Sequence, residues 1–249
     1  MNPLPQSSGT WPNRLDFERL RPRQVDIWLA RWQEWAGHPS ELSLSAAERK
    51  HASAYANEVA RMRFAAGRGL LRQLAAGYLG AAPKDLSIEP GTYGKPGLAG
   101  SWANSPLAFN ISRSGDFVAF AFTVGRSIGV DIEAMRSSRF EAEELQSMAG
   151  LFTEGEAAII RSLPPVAART TFFRLWVCKE ACLKCDGCGL QMPLDQIPIE
   201  WLDDSRAKGR CGTEDFAIRF LEPAVDAVAA VAVKGSEIPE PRVIQLVNC

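Results

Sequence analysis

The chain has 249 residues, 46% of them hydrophobic, with 28 basic against 29 acidic side chains and a formal net charge of −1 at pH 7. That is enough chain to build one large domain or two small ones with a real core, while so even a charge balance excludes a global pull toward nucleic acid or an anionic membrane. Any anion site must be local, and no stretch approaches the roughly 18–20 apolar residues of a membrane span.

The first dozen residues carry Pro3, Pro5, Gly9 and Pro12 and no apolar leader core, so residues 1–20 are expected to form a flexible tail and the protein to stay in the cytoplasm. A strand is expected at Val25–Trp32. A helix then opens near Ser45, where a serine cap is followed three residues later by Glu48, and a second runs from about Val59 to Leu79 and ends at Gly80. Strands follow near Leu86–Glu89, Leu107–Ile111, Phe117–Thr123 and Ile128–Glu133.

The second half repeats the order. Helices are expected near Phe140–Ala149, from the capping pattern at Thr153–Glu156, and over about Ala167–Cys185. Strands are expected at Ile197–Leu202, Asp215–Phe220, Ala227–Val233 and Val243–Val247. The pattern predicts an α+β fold of two similar lobes in a pseudo-twofold arrangement, residues 21–124 and 125–249, each a small antiparallel sheet packed with helices. A ligand site is expected between them.

Two segments carry chemistry. In WVCKEACLK, Trp176, Glu180 and Lys184 recur at i, i+4 and i+8, so one helical stripe holds an acid and a base, whereas Lys179 lies about 140° around from Lys184. In SIGVDIEAMR, Asp131 and Glu133 alternate with Val130 and Ile132, which points two carboxylates one way and two aliphatics the other. Such a carboxylate pair suits Mg²⁺, commonly held by one or two carboxylates plus substrate phosphates; a solvated acidic edge is the other reading.

Together these segments resemble the phosphopantetheinyl transferases, in particular the long monomeric type that serves peptide and polyketide synthases. NISRSG at Asn110–Gly115, YGKP at Tyr93–Pro96 and the basic helix ARMRFAAGRGLLR at Ala60–Arg72 are similar to further family segments in the same order. The resemblance covers roughly residues 45–190. It implies a two-lobed fold and transfer of the 4′-phosphopantetheine arm of coenzyme A onto a serine of an apo acyl or peptidyl carrier protein, with Mg²⁺ and release of adenosine 3′,5′-bisphosphate.

By that resemblance Asp131, Glu133 and Glu180 would hold Mg²⁺, Glu180 would act as general base, and Lys184 would pair with the transferred phosphate. Lys95 and Pro96 would meet the nucleotide, with Arg63, Ser112 and Arg113 on its phosphates. Arg113 departs from the histidine common in the family, and its fixed charge and planar fork preserve anion binding. Glu48, followed by Arg49 and Lys50, stands where many relatives carry a lysine.

Two other readings stay open at this point: a relative that binds coenzyme A or a carrier protein without catalysis, and a metal–sulfur enzyme using Cys178, Cys182 and Cys185. The C-x₃-C-x₂-C spacing resembles that of radical iron–sulfur enzymes but sits in a late helix with Lys184 before the third cysteine. Packed thiols are the commoner fate of buried free cysteine. Cys211 and Cys249 read as incidental, and disulfides are not expected in a reducing compartment.

Overall fold

The computed structural model describes residues 17, 20–135, 142–188 and 192–247. Apart from Phe17 and Leu20, the expected tail lies outside the described residues, as do Arg136 and Cys249.

Among the described residues, five α-helices and eleven strands run in the order β1 (Val25–Arg31), α1 (Ala46–Ser53), α2 (Glu58–Leu79), β2 (Ile88–Pro90), β3 (Pro96–Leu98), β4 (Leu107–Ser114), β5 (Phe117–Val124), β6 (Ile128–Ala134), α3 (Ala142–Met148), α4 (Glu154–Ser162), α5 (Pro165–Asp186), β7 (Ile199–Trp201), β8 (Arg206–Cys211), β9 (Glu214–Ala224), β10 (Ala227–Lys234) and β11 (Arg242–Gln245). Both helix starts read from sequence are full capping boxes, Ser45 with Glu48 on α1 and Thr153 with Glu156 on α4, each cap stabilising its helix by roughly 0.5–2 kcal/mol. Gly80 ends α2 in the left-handed conformation that a residue without Cβ adopts freely.

The strands form a four-stranded sheet in the order β11-β1-β5-β4, a five-stranded sheet in the order β6-β10-β9-β8-β7, and a β2-β3 hairpin. Period-two alternation assigns the faces. Trp28, Phe120 and Phe122 turn toward α2 and its Leu70, Leu71 and Leu74. From the same strands Ile27, Leu29, Ala119 and Ala121 turn the other way, onto Val130, Ile132, Ala229 and Val231 of the second sheet. The far face of that sheet takes α5 and α4, with Phe172, Cys178 and Cys182 against Phe216, Ile218 and Ala230. The result is four layers, helix, sheet, sheet, helix, with a thin middle layer mostly of alanine, valine and isoleucine.

Three strand assignments differ from the sequence reading. β11, read as part of the second half, pairs in parallel with β1 of the first sheet, while the other strand pairs are antiparallel. The reason is charge: Asp26 on β1 is fully buried, and Arg242 on β11 reaches its two oxygens at 3.1 and 2.6 Å, with the Tyr78 hydroxyl donating at 2.6 Å. β8 was not anticipated, because RAKGRC puts Arg206, Lys208 and Arg210 outside and only Ala207, Gly209 and Cys211 inside. β3 is short and starts at Pro96, inside what reads as a loop.

Candidate active site

The site lies where two sheet edges meet. β4 ends the first sheet and β6 ends the second, and side chains join them in place of a backbone ladder. Asn110 Oδ1 accepts from the Val130 N–H at 2.9 Å, and Ser114 Oγ accepts from the Ala134 N–H at 3.1 Å. Edge amides that would otherwise be free to recruit a foreign strand are thus satisfied. Between them the Ser112 hydroxyl donates to Asp131 Oδ1 at 2.7 Å, and the Ser114 hydroxyl donates to Glu133 Oε2 at 2.6 Å.

Helix α5 closes the site from the other side. Its approach to β6 depends on Gly129: a Cβ there would stand 2.1 Å from the Ala181 carbonyl oxygen and 2.3 Å from the Cys185 nitrogen. Because the backbones touch at that point, the stripe of Trp176, Glu180 and Lys184 lies over Asp131 and Glu133. Lys184 Nζ donates to Asp131 Oδ1 at 2.5 Å and to Ser112 Oγ at 2.9 Å.

The carboxylates are short of positive charge. Burial, followed by the Asp131 charge, pushes Glu180 up to about 7, and the same two causes raise Glu133. Asp131 Oδ2 and Glu180 Oε1 are buried with no hydrogen-bond partner. Orphaned buried oxygens of this kind cost free energy unless something else meets them, and oxygen-only donors suit a hard cation. The two unpartnered oxygens of Asp131 and Glu180 are of the kind that suits Mg²⁺, while among the described residues no group of three or more His, Cys, Asp or Glu side chains is arranged to hold a metal ion.

The thiols differ in this respect. Cys178, Cys182 and Cys185 are free and buried. Burial pushes Cys178 up to about 12 and Cys185 to about 11, and the Cys182 sulfur lies 2.9 Å from where a Cβ on Gly209 would be. All three are small groups packed in the interior, Cys182 against the inner face of β8, and protonated thiols are poor metal ligands.

Lys179 is neither a solvated charge nor part of the stripe. It is fully buried, pairs with Glu156 at 2.7 Å and donates to the carbonyls of Leu194 and Ile197 at 3.1 and 2.5 Å. It ties α5 to α4 and to the approach of β7.

A pocket of about 320 Å³ beside Lys184 brings together Arg63, Ser112, Arg113 and Lys184, walled by Tyr55 and Phe64. Burial, then the neighbouring Arg68 and Arg63 charges, lowers Arg113 to about 10. Arg68 was missed from sequence. Its guanidinium, like that of Arg113, lies over the Phe64 ring, at 5.9 and 5.8 Å respectively, and its Nε and Nη1 are buried without hydrogen-bond partners. The signal available was its position four residues after Phe64 on α2, which puts the two on one face, but that spacing alone does not separate it from a surface arginine. Glu48 approaches Arg68 only to 3.9 Å and spends its other oxygen on buried Arg72 at 2.6 Å, so Glu48 shapes the helix pair rather than the pocket floor.

Lys95 and Pro96 are not in that pocket. They line a separate cleft of about 650 Å³ with Tyr93, Phe109, Arg126 and Gly187. The Lys95 ammonium donates to the carbonyls of Ile128 and Cys185 at 2.9 and 3.3 Å. The two recesses lie along one strand, the cleft taking β4 residues 107–109 and the pocket residues 111–113.

No helix among the described residues is long and apolar enough to cross a membrane.

Comparison with known proteins agrees with this geometry. A family model described as the 4′-phosphopantetheinyl transferase superfamily matches residues 127–232, and one described as 4′-phosphopantetheinyl transferase, N-terminal, matches residues 27–124. The chain is similar to the 4′-phosphopantetheinyl transferase HetI of Nostoc sp., 37% identical over 229 residues, which cover 91% of this chain and 94% of the relative. It is also similar to a phosphopantetheinyl transferase of Thraustochytrium sp., 29% identical over 74% of this chain and 68% of that one. A 4′-phosphopantetheinyl transferase of Bacillus subtilis is 31% identical over 55% of this chain and 58% of its own.

Proposed function

Since this chain belongs to the 4′-phosphopantetheinyl transferase superfamily, we propose that it moves the phosphopantetheine arm of coenzyme A onto a serine of an apo acyl or peptidyl carrier protein, using Mg²⁺. The observation that carries this reading is the convergence of Lys184, Asp131 and Glu180 between β6 and α5, with Asp131 Oδ2 and Glu180 Oε1 buried and unpartnered.

In the reaction the serine Oγ–H bond breaks and an Oγ–P bond forms at the phosphorus bearing the pantetheine arm. The bond from that phosphorus to the bridging oxygen breaks, and adenosine 3′,5′-bisphosphate leaves. Mg²⁺ would be held by Asp131, Glu133 and Glu180 and would supply positive charge against the pyrophosphate oxygens. Glu180, whose carboxylate is held near neutrality in proton affinity, takes the serine proton. Lys184 and Ser112 present donors to the transferred phosphate, and little else is needed because phosphoryl transfer rests on positioning and charge.

Arg63 and Arg113, with Arg68 behind them, form a cationic pocket suited to a phosphomonoester, the 3′-phosphate of coenzyme A. The loop bearing Lys95 and Pro96 borders the cleft we assign to the nucleotide. Residues 21–124 and 125–249 are the two lobes of this reading, with β11 of the second crossing over to complete the sheet of the first, and each contributes half of the site, in a monomeric cytoplasmic enzyme. Incubating candidate apo-carrier proteins with the enzyme, coenzyme A and Mg²⁺ and weighing the intact carrier tests the proposal. A mass gain of one phosphopantetheine arm supports it; no gain on any acyl, aryl or peptidyl carrier refutes it.

A further inference from the structure

A lysine on a ligand-binding loop is expected to point at the ligand. Lys95 does something else. It belongs to the first half of the chain, yet both hydrogen bonds of its ammonium go to backbone carbonyls of the second half, Ile128 at the start of β6 and Cys185 in the last turn of α5. Carbonyls in the last turn of a helix have no partner within the helix, and a cation there is favoured by the helix dipole. The two carbonyls flank the point where α5 and β6 touch, since Gly129 follows Ile128 and a Cβ on it would stand 2.3 Å from the Cys185 nitrogen. Directly beyond the contact lie the two partners of the site's central ion pair. Asp131 is two residues after Gly129, and Lys184 is the residue before Cys185.

We infer that Lys95 is a positioning residue, which pins the end of α5 to the start of β6 and so fixes Lys184 and Glu180 over Asp131. Because the same loop borders the 650 Å³ cleft, which also includes Gly187 at the C-cap of α5, filling the cleft and seating the helix are one event. The inference rests on the proposed transfer reaction, with the nucleotide in that cleft. It differs from a role as a direct phosphate ligand, for which two of the three ammonium donors are already committed.

The test compares wild type, Lys95→Met and Lys95→Arg in three measurements: coenzyme A affinity by calorimetry, kcat at saturating coenzyme A, and amide hydrogen exchange over 128–131 and 183–187. Lys95→Met is expected to hold its affinity within about threefold while kcat falls roughly 10- to 100-fold, the size of loss that an ångström of misplacement produces. Exchange in both segments rises. Lys95→Arg, which still offers donors to two carbonyls, recovers part of kcat. A tenfold or greater loss of affinity with kcat unchanged overturns the inference in favour of a direct ligand, and unchanged values throughout overturn it outright. Should Lys95→Met fail to fold, coenzyme A added to wild type must slow exchange over 183–187, and no slowing overturns the coupling. If wild type transfers no arm to any carrier, the reaction assignment fails, while the exchange difference between wild type and Lys95→Arg or Lys95→Met still decides whether the pin exists.

Discussion

Lys184 reaches from α5 to Asp131 on β6 at 2.5 Å, and the oxygen it meets also accepts from Ser112 on β4 at 2.7 Å. One oxygen of Asp131 therefore joins a helix to an edge strand of each sheet, while the other, Oδ2, is left buried and unpartnered beside Glu180. A carboxylate divided in this way can orient a lysine and still offer a lone pair to a cation.

We predict that Asp131→Ala or Glu180→Ala lowers turnover at least about 10²-fold, the usual cost of deleting a group that stabilises transition-state charge. Circular dichroism of both variants should stay close to wild type; the denaturant midpoint should hold for Glu180→Ala and fall for Asp131→Ala, which also loses the contacts of Ser112 and Lys184, although Lys184 is partly hydrated. Near-normal turnover by either variant at saturating Mg²⁺ would remove the metal assignment.

The arginine pocket separates coenzyme A from its 3′-dephospho form. Arg113→Ala should weaken coenzyme A by roughly 1.5–3 kcal/mol, the worth of a hydrogen bond to a charged group, Arg68→Met, which acts from behind the pocket, by less, and both should leave 3′-dephospho-coenzyme A nearly unaffected. Calorimetric titration of both ligands measures this. Equal weakening of both would mean that the pocket does not read the phosphate.

Lys179 belongs to stability rather than chemistry. Lys179→Met strands Glu156, whose side chain is about 10% exposed, and breaking a buried pair from one side costs about 3–5 kcal/mol. Urea denaturation should show that loss, and turnover measured well below the melting transition should persist. A variant of normal stability and no activity would contradict the assignment.

The cysteines give a test by reactivity. With Cys178 and Cys185 buried and pushed up to about 12 and 11, native protein at pH 8 holds almost no thiolate there. Alkylation followed by peptide mass mapping should find Cys178, Cys182 and Cys185 unlabelled until denaturant is added. Replacing all three with alanine should cost about 1–3 kcal/mol in total and spare transfer. A folded triple variant without activity, or stoichiometric iron in the purified protein, would revive the metal–sulfur reading.

Much of this was legible along the chain because it is local. Asp131 and Glu133 share a face by the period of a strand, Glu180 and Lys184 by the period of a helix, and the caps at Ser45 and Thr153 need only four consecutive residues. Local periodicity says which side chains share a face but not what that face meets. Only the tertiary structure sent β11 to β1, where Arg242 answers a buried Asp26 216 positions away. It alone turned Lys179 onto Glu156, set Arg68 beside Arg113, and joined Asn110 and Ser114 to β6. Each of these follows from burial, since a charge or an amide removed from water must find a partner, and that partner is whichever group the packing of distant segments brings within 3 Å.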